Sequence, residues 1–302
     1  MQATYYSNGK LLLTAEYGVL DGALALALPT KYGQSLEIQS SDSNSLYWES
    51  LDANGEVWFK ANFDPNTFNL VSSSNRAIAQ TLKKVLGWAK QLNPEFYDSV
   101  KGVKITSQLT FPRNWGLGSS STLINNIAQW ASVNPYELLQ NTFGGSGYDI
   151  ACAQHNSPIL YQLKDGNPIV ESTAFAPPFK DQLFFVYLNQ KQNSRDAIAN
   201  YRKQAFDRDT LVEKLSILTK KFLQTEHINA FESLLRHHEA MLSKVLKTAP
   251  VKQKLFPDYF GTIKSLGGWG GDFVLVTGNE KTPDYFKVRG FDVVVPFKNM
   301  AL

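Results

Sequence analysis

The sequence predicts a mixed α+β fold, built as one large domain or two intimately joined halves. Strand-like and helix-like segments are interleaved along all 302 residues, with no internal repeat. Hydrophobic residues make up 43% of the chain and charged residues 19%, which supplies a sizeable core and argues against wholesale disorder. In the second half the order strand, helices, strand, strand, helix, strand suits helices on one face of an antiparallel sheet.

The elements follow in order. "GKLLLTA" and "GALALALPT" read as strands separated by the turn-like "EYGVLDG". In the second, Leu24, Leu26 and Leu28 share one face, and Ala23, Ala25 and Ala27 the other. Residues 32–70 hold short β-like pieces, "GQSLEIQ", "SLYWESL" and "EVWFKANF". Residues 75–92 read as a helix whose apolar stripe is Ile78, Leu82, Val85, Leu86 and Ala89. "KGVKITSQL" is a strand. Leu123, Ile127 and Ala131, with Ile124 and Ala128, recur every fourth residue and predict a helix starting around Ser120. "NPYELLQNTF" is a short helix with Asn134 as N-cap and Pro135 as its first residue. "SPILYQL" is a strand, and the prolines of "FAPPFKD" mark a boundary between segments 1–178 and 179–302. Beyond it come a buried strand, "QLFFVYL", and a helix, "NSRDAIANYRKQAF", with Ser194 as its expected N-cap. Residues 209–248 read as two helices broken near His227, followed by "FGTIKSLGGWGGDFVLVTG", a short helix at 282–287 and the strand "FDVVVPF".

Composition excludes several classes of function. A net charge of +3, scattered along the chain, argues against nucleic acid or a membrane surface as partner. The one cysteine, Cys152, excludes an internal disulfide and reads as a small buried hydrophobe. No leader-like segment opens the chain and no apolar run is of membrane-spanning length, so the sequence reads as a soluble, cytoplasmic protein. His227, His237 and His238 lie on helical segments without a zinc-like arrangement of ligands, and are expected at the surface or partly packed.

The segment "NWGLGSSSTLINNIAQW" calls for a different explanation. Gly116, Gly118, Ser119, Ser120 and Ser121 crowd the start of the predicted helix, where one Ser and one Gly would make an ordinary cap. Helix N-termini leave N–H groups unpaired and favour anions, and glycines allow close backbone approach, so the surplus suits a phosphate site. It is not a P-loop, since no Lys occurs between residues 105 and 163, and the glycine spacing of dinucleotide-binding folds is absent.

The segment resembles the second motif of the GHMP kinases, with Pro112 followed by Gly116-Leu117-Gly118-Ser119-Ser120-Ser121. The other two motifs of that family have counterparts in the same order. Near the N-terminus, "SNGKLLLTAEY" presents Gly9-Lys10, a strand and Glu16-Tyr17, with Asn8 in place of the family's Pro and Ala15 in place of its Gly. Near the C-terminus, "KSLGGWGGDFVLV" presents Lys264, Gly267, Gly268, Gly270, Gly271 and Asp272, with Trp269 where the family has Gly. "GSGYD" supplies the Ser146-Gly147-Tyr148-Asp149 segment found after the second motif in the mevalonate kinase and phosphomevalonate kinase branch.

The resemblance implies a two-domain GHMP kinase fold, ribosomal-protein-like over 1–178 and ferredoxin-like over 179–302, that uses ATP and Mg²⁺. It assigns Gly116, Leu117, Gly118, Ser119, Ser120 and Ser121 to the ATP phosphates and Ser120 to the metal. Lys10 would stabilise the transferred charge, and Asp149 would be the general base. Glu16, Ser146, Gly147, Gly268, Gly270 and Gly271 fall on the acceptor side. A structural turn for Glu16 and a helix cap for Asp149 are the competing readings of those carboxylates. The small-molecule acceptor is expected to be a mevalonate-pathway alcohol or its phosphate. A sugar or hydroxy-amino-acid kinase, a related decarboxylase and a non-catalytic nucleotide- or metabolite-binding protein are the alternatives. The metal-binding Glu that mevalonate kinases carry before the catalytic Asp has no clean counterpart, Glu137 lying on the one helix in that interval. Trp115 could stack on a nucleotide, but a core aromatic is the favoured reading.

Overall fold

The computed structural model describes residues 2–97 and 102–302. The strands are β1 Gln2–Leu12, β2 Ala25–Ser40, β3 Leu46–Leu51, β4 Val57–Phe63, β5 Leu70–Ser73, β6 Val103–Leu109, β7 Ile159–Lys164, β8 Asn167–Ser172, β9 Leu183–Tyr187, β10 Ile263–Ser265, β11 Phe273–Thr277 and β12 Val294–Pro296. The α-helices are α1 Arg76–Leu92, α2 Ser119–Ala131, α3 Pro135–Thr142, α4 Tyr148–Gln154, α5 Ser194–Lys203, α6 Arg208–Leu223, α7 Ile228–Leu246, α8 Val251–Leu255, α9 Thr282–Lys287 and α10 Phe297–Met300. The result is the mixed α+β class that the alternating patterns predict. Lys101, in the expected strand before β6, lies outside the described residues.

The chain divides into two compact units, each assembled from separate stretches. One contains the N-terminal residues through Gly9, Tyr32–Arg113 and Leu117–Gln154; the other contains Lys10–Lys31, Asn114–Gly116 and His155–Leu302.

In the first unit the strand order is β5-β4-β3-β6-β2, with β3 and β6 parallel and the other pairs antiparallel. Alternate residues turn inward, among them Leu36, Ile38, Leu46, Trp48, Phe59, Phe63, Val103 and Ile105. Helix α1 contributes Leu82, Val85, Leu86 and Ala89 as its spacing predicts, while Ala79 is buried where Ile78 is only partly so. Asn75 caps α1 and Asn134 caps α3, each side chain accepting a backbone N–H of the first turn.

In the second unit the start of β2 pairs with β7, and β7 with β8, all antiparallel. A separate antiparallel sheet has the order β10-β11-β9-β12. All five residues of β9 and all five of β11 are buried. The break between α6 and α7 falls at His227, which occupies the N-cap of α7. The cap of α5 is Asn193 rather than Ser194; its side chain accepts the N–H of Arg195. β2 is one strand of 16 residues, where the sequence read two separate pieces. Tyr32 and Gly33 interrupt the apolar pattern but not the extended backbone. No helix among the described residues is long and apolar enough to cross a membrane.

Candidate functional site

In the first unit the site residues stand at the start of α2 and in α4. Gly118 is the N-cap of α2 at φ +91°, and lacking a side chain it caps nothing. The first-turn N–H groups have no acceptor within the helix, which leaves this end electropositive. The inner face of α2 is pinned by a buried polar ladder. Asn125 Nδ2 donates to Ser7 Oγ (2.8 Å), Ser7 Oγ donates to Asn126 Oδ1 (2.7 Å), and Asn126 Nδ2 donates to the carbonyl of Gln34 (2.9 Å). Thr122 Oγ1 donates to Gln34 Oε1 at 2.6 Å. Ser121 is buried and its hydroxyl donates back to the carbonyl of Gly118 at 2.9 Å, whereas Ser120 is exposed. Leu117 is fully buried and acts as an apolar peg beneath the turn.

Asp149 lies in the first turn of α4, half-buried, and its Oδ1 accepts the N–H of Ile150 at 3.1 Å. Helix α4 packs against α2. Ser146 and Gly147 lead into α4, both buried, with Gly147 at φ +85°. Burial pushes the Tyr136 hydroxyl up to about 12, and the charges of Cys152 and Asp149 add to the effect. Glu137 is exposed on α3.

In the second unit residues from three distant segments meet. Lys10 Nζ donates to the carbonyl of Gly116 at 2.9 Å. The carboxylate of Asp272 lies directly over the same glycine; a Cβ on Gly116 would sit 2.5 and 2.6 Å from its two oxygens. Asp272 is held at φ +51° by its own N–H, donated to the carbonyl of Gln190 at 2.6 Å, and its Oδ1 accepts the N–H of Gln192 at 3.3 Å. Burial raises its carboxyl above the usual carboxylate range, and the charge of Lys10 is the largest opposing influence. Alanine at 116 therefore meets two obstacles, φ +67° and the Asp272 carboxylate. Gly116→Ala is expected to cost about 1–2 kcal/mol in urea unfolding from the left-handed backbone alone. Adding Asp272→Gly should recover the steric part and somewhat more, since glycine also relieves φ +51° at 272.

The glycines of the third loop serve close packing. A Cβ on Gly268 would lie 2.8 Å from Gln192 Cβ, and one on Gly271 would lie 2.6 Å from the carbonyl of Gln190. Gly270 is exposed at φ +91°. The N–H of Trp269 donates to Tyr17 Oη at 3.2 Å, and Tyr17 stacks on Tyr201 with centroids 5.3 Å apart. Trp115 packs edge-on against Phe273, centroids 5.3 Å apart, in the manner of a core aromatic.

Glu16 is buried, and its Oε1 accepts from Lys264 Nζ. Lys264 is fully buried and also donates to the carbonyl of Ser265 at 2.8 Å. His238, expected near the surface, is fully buried beside them, with Nε2 3.1 Å from Glu16 Oε2. The next residue, Glu239, accepts the N–H of Ser265 at 3.0 Å and the Ser265 hydroxyl at 3.2 Å. Burial pushes Glu16 up and Glu239 up to about 7, with Lys264 pulling both back. Burial, then the charge of Lys264, drives His238 well below its ordinary 6.5. A signal for His238 was present in the sequence, since Phe231, Leu235 and Leu242 share its helical stripe and are all buried.

Within the first unit the donors suit an anionic ligand. The N-terminus of α2, which no side chain caps, suits a phosphate oxygen. Among the described residues no group of three or more His, Cys, Asp or Glu could hold a metal unaided.

No protein-family model matches the chain, and no curated protein matches it in sequence. Solved structures do match it. Mevalonate kinase from Methanococcus jannaschii superposes with a TM-score of 0.68 at 16% identity, over 97% of this chain and 96% of that one. Phosphomevalonate kinase from Streptococcus pneumoniae, in complex with phosphomevalonate and AMPPNP, gives 0.70 at 14% identity, over 95% of each chain. Galactokinase from Lactococcus lactis, complexed with galactose, gives 0.68 at 13% identity, over 96% and 91%. Similarity at this level of identity is similarity of fold, spread over nearly the whole of each chain. The fold of this protein is the GHMP kinase fold.

Proposed function

We propose that the protein is an ATP- and Mg²⁺-dependent phosphotransferase whose acceptor is mevalonate, phosphomevalonate or a closely related alcohol. The observation that carries this reading is the meeting of Lys10, Gly116 and Asp272, one residue from each of the three family-like motifs far apart in sequence. A chance set of turns has no reason to converge in this way. Support also comes from the fold, shared with kinases of mevalonate, phosphomevalonate and galactose.

Phosphoryl transfer asks little covalent chemistry of a protein; it asks for position and charge. In this reading the N–H groups of Gly116–Ser120 and the hydroxyls of Ser119 and Ser120 hold the phosphates, and Ser120 also serves as a magnesium ligand. ATP supplies the phosphoryl group, and magnesium offsets the negative charge of its phosphates. Lys10, anchored on the Gly116 carbonyl, presents a cation to the charge that builds during transfer. Asp149 accepts the proton of the acceptor hydroxyl. Ser146, Gly147 and the exposed Gly270 are assigned to the acceptor side. Glu16 is assigned there too, held by its buried pair with Lys264.

The test is ADP release with magnesium and a panel of mevalonate, phosphomevalonate, homoserine and galactose. A mevalonate compound is expected to raise turnover above the ATP-only rate. ATP binding with no acceptor raising turnover would overturn the kinase reading and favour a nucleotide-binding protein. Turnover with galactose or homoserine alone would move the acceptor to another class.

A further inference from the structure

Helix α7 presses a histidine into the turn that follows β1, and one nitrogen of that histidine faces two claimants. The N–H of Ala15 donates to His238 Nε2 at 2.9 Å, and Glu16 Oε2 lies 3.1 Å from the same atom. A ring nitrogen either accepts or donates, and cannot do both. With the proton on Nδ1, Nε2 takes the N–H of Ala15, and both Glu16 Oε2 and Nδ1 itself are left without a hydrogen-bond partner. With a proton on Nε2, the ring can serve Glu16 Oε2 but must give up Ala15.

The turn has reason to move when that bond is lost. Ala15 and Tyr17 both sit at φ +62°, in the left-handed region that favours glycine, so surrounding contacts must hold them there. Tyr17 in turn receives the N–H of Trp269, in the loop that leads to Asp272. The groups that face His238 are Glu16 from the turn and Lys264 from β10, with His237 and Glu239 beside it on its own helix.

We propose that His238 is a proton-controlled positioning residue: neutral, it clamps Ala15 and fixes the turn from Ala15 to Tyr17; protonated, it transfers its bond to Glu16 and releases the turn. The device does not depend on which reaction the protein catalyses. Burial and Lys264 disfavour the imidazolium, so the clamped form holds at neutral pH. Its folded value lies below its unfolded one, so its contribution is fully present above 6.5 and is lost as pH falls below that value.

Amide exchange at Ala15, read by NMR across this range, tests the proposal. The opening constant of the Ala15 amide, corrected for intrinsic exchange, is expected to rise as pH falls through the acid range below the ordinary imidazole value, by at most about tenfold per pH unit. The amide of Phe185, in the buried strand β9, serves as the control and should not follow it. In His238→Gln the side-chain carbonyl can accept the same N–H but does not titrate, and the rise should vanish. A wild-type Ala15 amide whose opening is independent of pH overturns the proposal, as does a His238→Gln protein with an unchanged rise. Should that variant not fold, imidazole ¹⁵N shifts of the wild-type protein decide. The Nδ1–H tautomer at neutral pH is expected, and the Nε2–H tautomer contradicts the clamp.

Discussion

Lys264→Met is expected to destabilise the protein by about 3–5 kcal/mol, the cost of leaving a buried charge without its partner. Lys264 is 0% exposed and Glu16 1%, so solvent cannot replace the missing ammonium. Methionine fills much the same volume, and the loss is therefore electrostatic rather than a matter of packing. Without the cation, Glu16 would be pushed further up and would fold protonated. The sign of the pH dependence follows. A carboxyl with a raised folded value gives up stability as pH rises, so the deficit of Lys264→Met should be large near neutrality and shrink toward pH 4.5 and below. Urea unfolding at several pH values measures this. A double variant, Glu16→Gln with Lys264→Met, should recover much of the loss, since replacing both charges of a buried pair is often close to neutral. A deficit that does not vary with pH would show that the pair is solvated in solution.

The second large effect concerns catalysis. Under the proposed function, Asp149→Asn removes the proton acceptor and keeps the shape, and turnover is expected to fall by about 10²–10⁴. Nucleotide affinity should change little, because the phosphate loop belongs to α2 and not to α4. The backbone bond from the Ile150 N–H can pass to the Asn side-chain oxygen, so stability should stay close to wild type. Full activity in this variant would leave Asp149 as a helix cap and place the base elsewhere.

What the sequence made legible was local and periodic. The stripe of α1, the start of α2 and the cap at Asn134 depend on residues within a few positions of one another. Long-range polar pairing was not legible. Glu16 and Lys264 are 248 positions apart, and nothing near either residue names the other. Asn125 and Asn126 are both buried in α2, where Ser7 pairs with the side-chain amide of each and Gln34 accepts from Asn126, all from elements distant in sequence. The motif glycines were visible, but the purpose of Gly116 was not, since it depends on the Asp272 carboxylate above it. His238 was hidden by its chemistry. A histidine on an apolar stripe is discounted as partly packed unless its buried partner is known.

The anchor of Lys10 has one further consequence. Its acceptor is a main-chain carbonyl, so this hold on the cation is inherited from the path of the backbone. Substitutions around Gly116 that preserve the path leave that acceptor where it is. Sequence drift in this loop can thus retune what lies around the positive charge while this one anchor stays constant.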